Sequence, residues 1–291
     1  MHAVSLARPR KLATVLLAAV GIMAATAVTP AMAAGGSPQG GPHSGPSYLA
    51  LGDSVPFGYH NANDPTIYAN PANLVGYPEL LATETHLRLA NASCPGETSS
   101  SFIDATTDVY TCEGPAGYRT NYPLHVAYGG SQLDYAVHYL RTTRDVRLVT
   151  LQIGANDVFA CQSRTTDQCS SPAELQPVLA RVHQNIETIV TTLRAQGHYS
   201  GPIVVVDYYA LDYTDQPTAQ ATAALDQAID GAALDRGARF ASGFLAYAPI
   251  AFAQGGGDSR AAGLVRPAPD VHPTPLGQEV LEDAVQAVIG H

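Results

Sequence analysis

The sequence predicts an α/β fold, a three-layer α/β/α sandwich around a parallel sheet. Three observations carry that expectation. Short apolar runs recur along the chain, bounded by Gly, Pro, Asn, Asp and Ser. Longer stretches between them space apolar residues three and four positions apart. The two patterns alternate from Tyr48 onward with no internal repeat and no second domain, and such alternation builds a parallel sheet with helices on both faces.

The first residues read as a targeting segment rather than as part of the fold. Arg8, Arg10 and Lys11 precede an uncharged run, LATVLLAAVGIMAATAVTP, and AMAA then sets Ala31 and Ala33 as an A-x-A cleavage site. Residues 1–33 are therefore expected to be a signal peptide for export; the long apolar run leaves an uncleaved anchor as the competing reading. Residues 34–47, rich in Gly, Pro and Ser, are expected to form a flexible lead. The domain proper is expected over residues 48–291.

The first strand is YLAL, from Tyr48. LRLANA (Leu87–Ala92), VRLVTLQI (Val146–Ile153), PIVVVDYY (Pro202–Tyr209) and ARFASG (Ala238–Gly243) follow. They are short and apolar on both faces, as strands buried in a parallel sheet must be. Helical spacing is clearest at Leu175, Val178, Leu179, Val182, Ile186 and Ile189, with Gly197 as the stop. An Ala-rich segment over residues 218–237 has high helix propensity. The last helix opens with Thr274 as N-cap and Pro275 at its first position.

Charge and cysteine content narrow the classes of function. Removing Arg8, Arg10 and Lys11 from the 15 basic residues leaves 12 arginines, no lysine and 25 acidic groups, a net charge of −13. Such a chain is a poor partner for nucleic acid or for an anionic membrane surface. In an exported chain the four cysteines read as two disulfides. Three pairings are possible, and sequence separation favours Cys94–Cys112 and Cys161–Cys169, with loop-closure stabilisation of about 3 and 2.5 kcal/mol. The spacings lack the C-x-x-C and His pattern of a zinc site, and neither a metal nor an organic cofactor is expected.

In open α/β sheets, sites gather beyond the carboxyl ends of the strands. Ser54 follows the first strand, Gly96 and several hydroxyls the second, and Asn156 with Asp157 the third; Asp270 and His272 precede the last helix. Each has an ordinary reading as turn or loop chemistry. Together they supply what acyl transfer needs: a hydroxyl, a base to take its proton, and donors for the oxyanion. The backbone N–H groups of Ser54 and Gly96 and the Asn156 amide are the candidate donors. Asp53 and Asp157 are read as organisers of their turns. Tyr208 and Tyr209 fit a substrate wall and a packed core about equally well.

GDS at Gly52–Ser54, the glycine of NASCPGETSSSF, GAND and DVHP stand in the order of the four sequence blocks of the SGNH hydrolases, the GDSL lipase/esterase family. Each block is weak alone; the ordered set, reaching from Tyr48 nearly to the C-terminus, resembles secreted bacterial members of that family. The resemblance implies a flavodoxin-like α/β/α fold and a carboxylic ester hydrolase. It makes Ser54 the nucleophile, His272 the general base, and Gly96 and Asn156 partners of the Ser54 N–H in the oxyanion hole. The expected substrate is a small-molecule or lipid ester, with a carbohydrate acetyl ester as the alternative and a non-catalytic binding domain as the contrasting class. One departure stands out: the family's usual last block is D-x-x-H, whereas Asp270 lies two residues before His272. Either Asp270 orients the imidazole in a triad, or the Pro269 carbonyl does so in a dyad.

Overall fold

In the computed structural model, which describes residues 45–107 and 112–290, five parallel strands form one sheet. They are β1 (Ser47–Gly52), β2 (Arg88–Asn91), β3 (Val146–Gln152), β4 (Ile203–Val206) and β5 (Arg239–Ala241). Their order is β2-β1-β3-β4-β5, the flavodoxin-like order. All six residues of β1 and all four of β4 are buried, which explains why their sequences are apolar without alternation. The expected signal peptide (1–33) and most of the expected lead lie outside the described residues.

The boundaries move by a few residues. Ser47, assigned by composition to the lead, opens β1 instead: its N–H donates to the Asp145 carbonyl at 2.9 Å, and it stands in register with Arg88 and Val146. The fourth strand ends at Val206, three residues before the expected Tyr209. Asp207, Tyr208 and Tyr209 leave the ladder to serve other elements, described below.

Ten α-helices connect and cover the sheet among the described residues. α1 (Ser54–Phe57) is a single turn; α2 (Tyr77–Thr85) leads to β2. Between β2 and β3 come α3 (Ser99–Ile103), α4 (Tyr118–Asn121) and α5 (Gln132–Thr142). α6 (Ala155–Arg164) and α7 (Pro172–Ala195) precede β4, α8 (Gln216–Asp235) precedes β5, and α9 (Gly243–Gly255) and α10 (Pro275–Ile289) close the fold. Because parallel crossovers are right-handed, the connection from β1 leftward to β2 puts α2 on one face. Rightward connections put α5, α7 and α8 on the other. α7 accordingly packs on α3, α5, α6 and α8, whereas α10 packs on α2 and α9.

Helical periodicity and propensity in the sequence mark α7, α8 and α10, and the structure adds the rest. The only apolar residues that α5 buries are Leu133, Ala136 and Leu140, beside Gln132, and the tyrosines and histidine between them blur the pattern. α9 has no charged residue to define a polar face, so its sequence carries little amphipathic contrast. Thr274 caps α10 as expected, its hydroxyl accepting the Gly277 N–H at 3.2 Å. The disulfides are Cys94–Cys112 and Cys161–Cys169, with Cα separations of 5.7 and 5.6 Å. Among the described residues no helix is long and apolar enough to cross a membrane.

Candidate active site

The strand order reverses between β1 and β3, which opens a crevice at their carboxyl ends. Gly52 and Gln152 are the last paired residues of the two strands, so the segments after them start at the same level. Gly52 has φ 138°, and a side chain there would collide with the Gln152 carbonyl. Only glycine lets β1 turn this closely beneath β3. Asp53 then caps α1, its carboxylate accepting the Val55 N–H at 3.0 Å. Ser54 thus begins a one-turn helix at the lip of the sheet, half-buried and lining the cleft.

His272 arrives from 218 residues further along the chain, and its Nε2 lies 2.9 Å from Ser54 Oγ. Its Nδ1 lies 2.6 Å from Asp270 Oδ1. With the proton on Nδ1 the ring donates to the carboxylate, and the Nε2 lone pair faces the hydroxyl. The two-residue spacing closes into a loop: the same Oδ1 accepts the His272 backbone N–H at 3.1 Å, and Oδ2 accepts the Asn61 N–H at 2.9 Å. Burial would raise the Asp270 pKa, but the hydrogen bonds and charge of His272 outweigh it and hold the carboxyl at about 2. The loop is clamped further by the Arg260 guanidinium, which donates to the Arg266 and Asp270 carbonyls, and by the Tyr209 hydroxyl on the Val271 carbonyl at 2.9 Å.

Gly96 adopts φ 85° in the turn after β2, and its backbone lines the same cleft. Asn156 sits in the first turn of α6, where its Nδ2 donates one hydrogen to the Glu97 carbonyl at 2.9 Å. That bond aims the amide and ties it to the residue beside Gly96. Asp157, buried next to it, accepts both the backbone N–H and the hydroxyl of Ser99 at 2.7 Å. The loop after β2 and the start of α6 are therefore one hydrogen-bonded unit. Ser54, Gly96, Asn156 and His272 all border a single cleft of about 1150 Å³.

Several contributors carry no signal in the sequence. Gln132, at the start of α5, accepts the Gly52 N–H at 2.6 Å and donates to the Gly52 carbonyl at 3.0 Å and to Glu97 Oε2 at 3.3 Å. Glu97 also accepts the Ser101 hydroxyl at 2.5 Å. Burial pushes the Glu97 carboxyl up to about 7, and that of Asp53 to about 6. Asp53 also accepts the Tyr208 hydroxyl at 2.5 Å. Tyr209 stacks on Tyr247 with centroids 4.5 Å apart. Tyr208 and Tyr209 thus do both things weighed for them: each borders the cleft, and each is buried with its hydroxyl engaged in supporting the site. Apart from Ser101 and Glu97, four positions apart, the hydrogen-bonded partners lie 35 to 155 residues apart in sequence, and no local spacing announces them.

A GDS serine at the switch point of a flavodoxin-like sheet, with a histidine and a carboxylate behind it, defines the SGNH class of hydrolase. The chain belongs to the GDSL-like lipase/acylhydrolase family, whose model matches residues 50–280, and it is a carboxylic ester hydrolase. No curated protein matches it in sequence. Among solved structures it is similar to phospholipase A1 from Streptomyces albidoflavus NA297, at 19% identity and a TM-score of 0.55, covering 84% of this chain and 99% of that one. It is also similar to Axe2, an acetylxylan esterase from Geobacillus stearothermophilus, at 14% identity and a TM-score of 0.54, covering 85% and 95%. At these identities the likeness is one of fold.

Proposed function

We propose that the protein hydrolyses carboxylic esters through an acyl-enzyme on Ser54, with His272 as general base and Asp270 as its orienting carboxylate. The observation that carries this reading is the unbroken chain from Ser54 Oγ to His272 Nε2 at 2.9 Å and from His272 Nδ1 to Asp270 at 2.6 Å. Ser54 Oγ attacks the ester carbonyl as His272 takes its proton. The oxyanion is met by the Ser54 and Gly96 N–H groups and by the Asn156 amide. Asp53 engages the N–H of Val55 and so leaves that of Ser54 for the reaction. Each such donor contributes about 2.7–4 kcal/mol to the transition state. His272 then hands the proton to the departing alcohol, and a water deprotonated by the same imidazole releases the acid.

Further proposals follow from the N-terminal sequence. Residues 1–33 act as a signal peptide, the catalytic domain begins with β1 at Ser47, and the enzyme works outside the cell, where its two disulfides persist. A fluorophosphonate probe on the purified protein tests the mechanism. Wild type is expected to label covalently, while Ser54→Ala loses the label and about 10⁴ or more in kcat. Labelling that survives Ser54→Ala removes the assignment of the nucleophile; a wild type that neither labels nor cleaves any ester leaves the binding-domain reading standing.

A further inference from the structure

We propose that the cleft has an acyl arm between α6, α7 and α8 that takes an unbranched chain of about eight carbons or more, with the alcohol held on the opposite, tyrosine-lined side. This rests on the ester-hydrolase reading and adds to it the class of acyl group. The arm begins on α6, where Val158 and Phe159 follow Asn156 and both line the cleft. It continues along α8. Thr218, Ala221, Thr222 and Leu225 fall at steps of three and four residues, so they form one helical stripe, and all four line the cleft.

Leu225 marks the inner end. A Cβ on Gly154 would lie 3.5 Å from Leu225 Cδ1, and Gly154 stands two residues before Asn156. From Leu225 to Thr218 the helix rises about 10 Å. At about 1.3 Å per carbon of an extended chain, about eight carbons span that distance, and an acetyl methyl does not pass Leu225. Ala221, at the midpoint, is the smallest side chain of the stripe and leaves the way open. Leu175, from the start of α7, borders the same space.

The direction of the two halves follows from proton transfer. His272 must protonate the leaving alcohol, so the alcohol lies on the imidazole side. Tyr59 packs edge-on to the His272 ring at 5.0 Å and to Tyr118 at 5.8 Å, and both tyrosines border the cleft. The acyl chain leaves the carbonyl on the other side, past Asn156 and into the arm between α6, α7 and α8.

The experiment compares kcat/KM on p-nitrophenyl acetate, octanoate and laurate for wild type, Ala221→Phe and Thr218→Arg. Burying a methylene multiplies kcat/KM by up to about fourfold, so wild type is expected to prefer octanoate to acetate by at least tenfold. Ala221→Phe plugs the midpoint and is expected to lower the octanoate-to-acetate ratio by at least tenfold. Thr218→Arg, at an exposed position where folding is not at risk, puts a charge at the distal end and is expected to lower the laurate-to-octanoate ratio. An enzyme that cleaves acetate as fast as octanoate, or whose ratios neither substitution moves, overturns the acyl arm while leaving ester hydrolysis intact. A wild type inert to all three esters and to a fluorophosphonate overturns both.

Discussion

Asp270 stands two residues before His272, one fewer than the family's usual spacing, yet both of its oxygens are engaged and one of them meets the imidazole. The shorter spacing is accommodated because the carboxylate turns back on its own loop and takes the His272 N–H and Nδ1–H together. A neutral amide in its place can present its own N–H to Nδ1 and so favours the wrong tautomer. Asp270→Asn is therefore expected to lower kcat on the order of 10⁴, with little change in KM. A loss below about tenfold would assign the orienting role to another acceptor, such as the Pro269 carbonyl. Because His272 holds the Asp270 carboxyl at about 2, Asp270 stays ionised throughout the working range. A pH profile of kcat/KM is thus expected to show no step from Asp270 above about pH 4.

At the scale of elements, the site depends on how neighbouring strand ends are tied together. Gln132 engages both the N–H and the carbonyl of Gly52 and reaches Glu97, whose backbone carbonyl aims Asn156. The start of α5 thus joins the turn that carries Ser54 to the turn that carries Gly96. Glu97 carries a cost in this arrangement. Its pKa rises from the ordinary glutamate value to about 7 on burial, so its contribution is fully present at acid pH and is lost as pH climbs from about 4.5 through 7. Glu97→Gln keeps the shape and removes the charge. Its Tm relative to wild type is expected to improve steadily between pH 5 and pH 8; a difference that stays constant across that range would mean that Glu97 does not ionise there.

Across the whole molecule, the same sign recurs. Burial raises Asp53 and Asp207 to about 6, Glu79 and Asp230 to about 7, and Asp226 well above the ordinary carboxylate value. Each favours the folded state at acid pH and loses that contribution as pH rises through its folded value. Asp270, lowered to about 2, opposes them, and turn hydrogen bonds also hold the exposed Asp64, Asp104 and Asp212 below the ordinary aspartate value. The excess of acidic over basic groups adds self-repulsion as the carboxyls ionise. Thermal unfolding is therefore expected to show its highest Tm near pH 5, falling by several degrees toward pH 8. A Tm that rises over this interval would contradict the assignment of these carboxyls as buried and neutral.

The amino-acid sequence by itself determined the layer architecture, the parallel sheet and the start of α10. Those depend on local periodicity and on capping residues such as Thr274 and Pro275, whose signals lie within a few positions of one another. It also marked Ser54, Gly96, Asn156 and His272, because the family's blocks are short; the first three follow strands, and the last precedes α10. What only the tertiary structure decided is how those blocks are held: Gln132 against Gly52, Ser99 on Asp157, Tyr208 on Asp53, and the closure of Asp270 onto His272. Hydrogen bonds between residues tens of positions apart require no fixed spacing and leave no periodic trace. The chain must fold before they can be read.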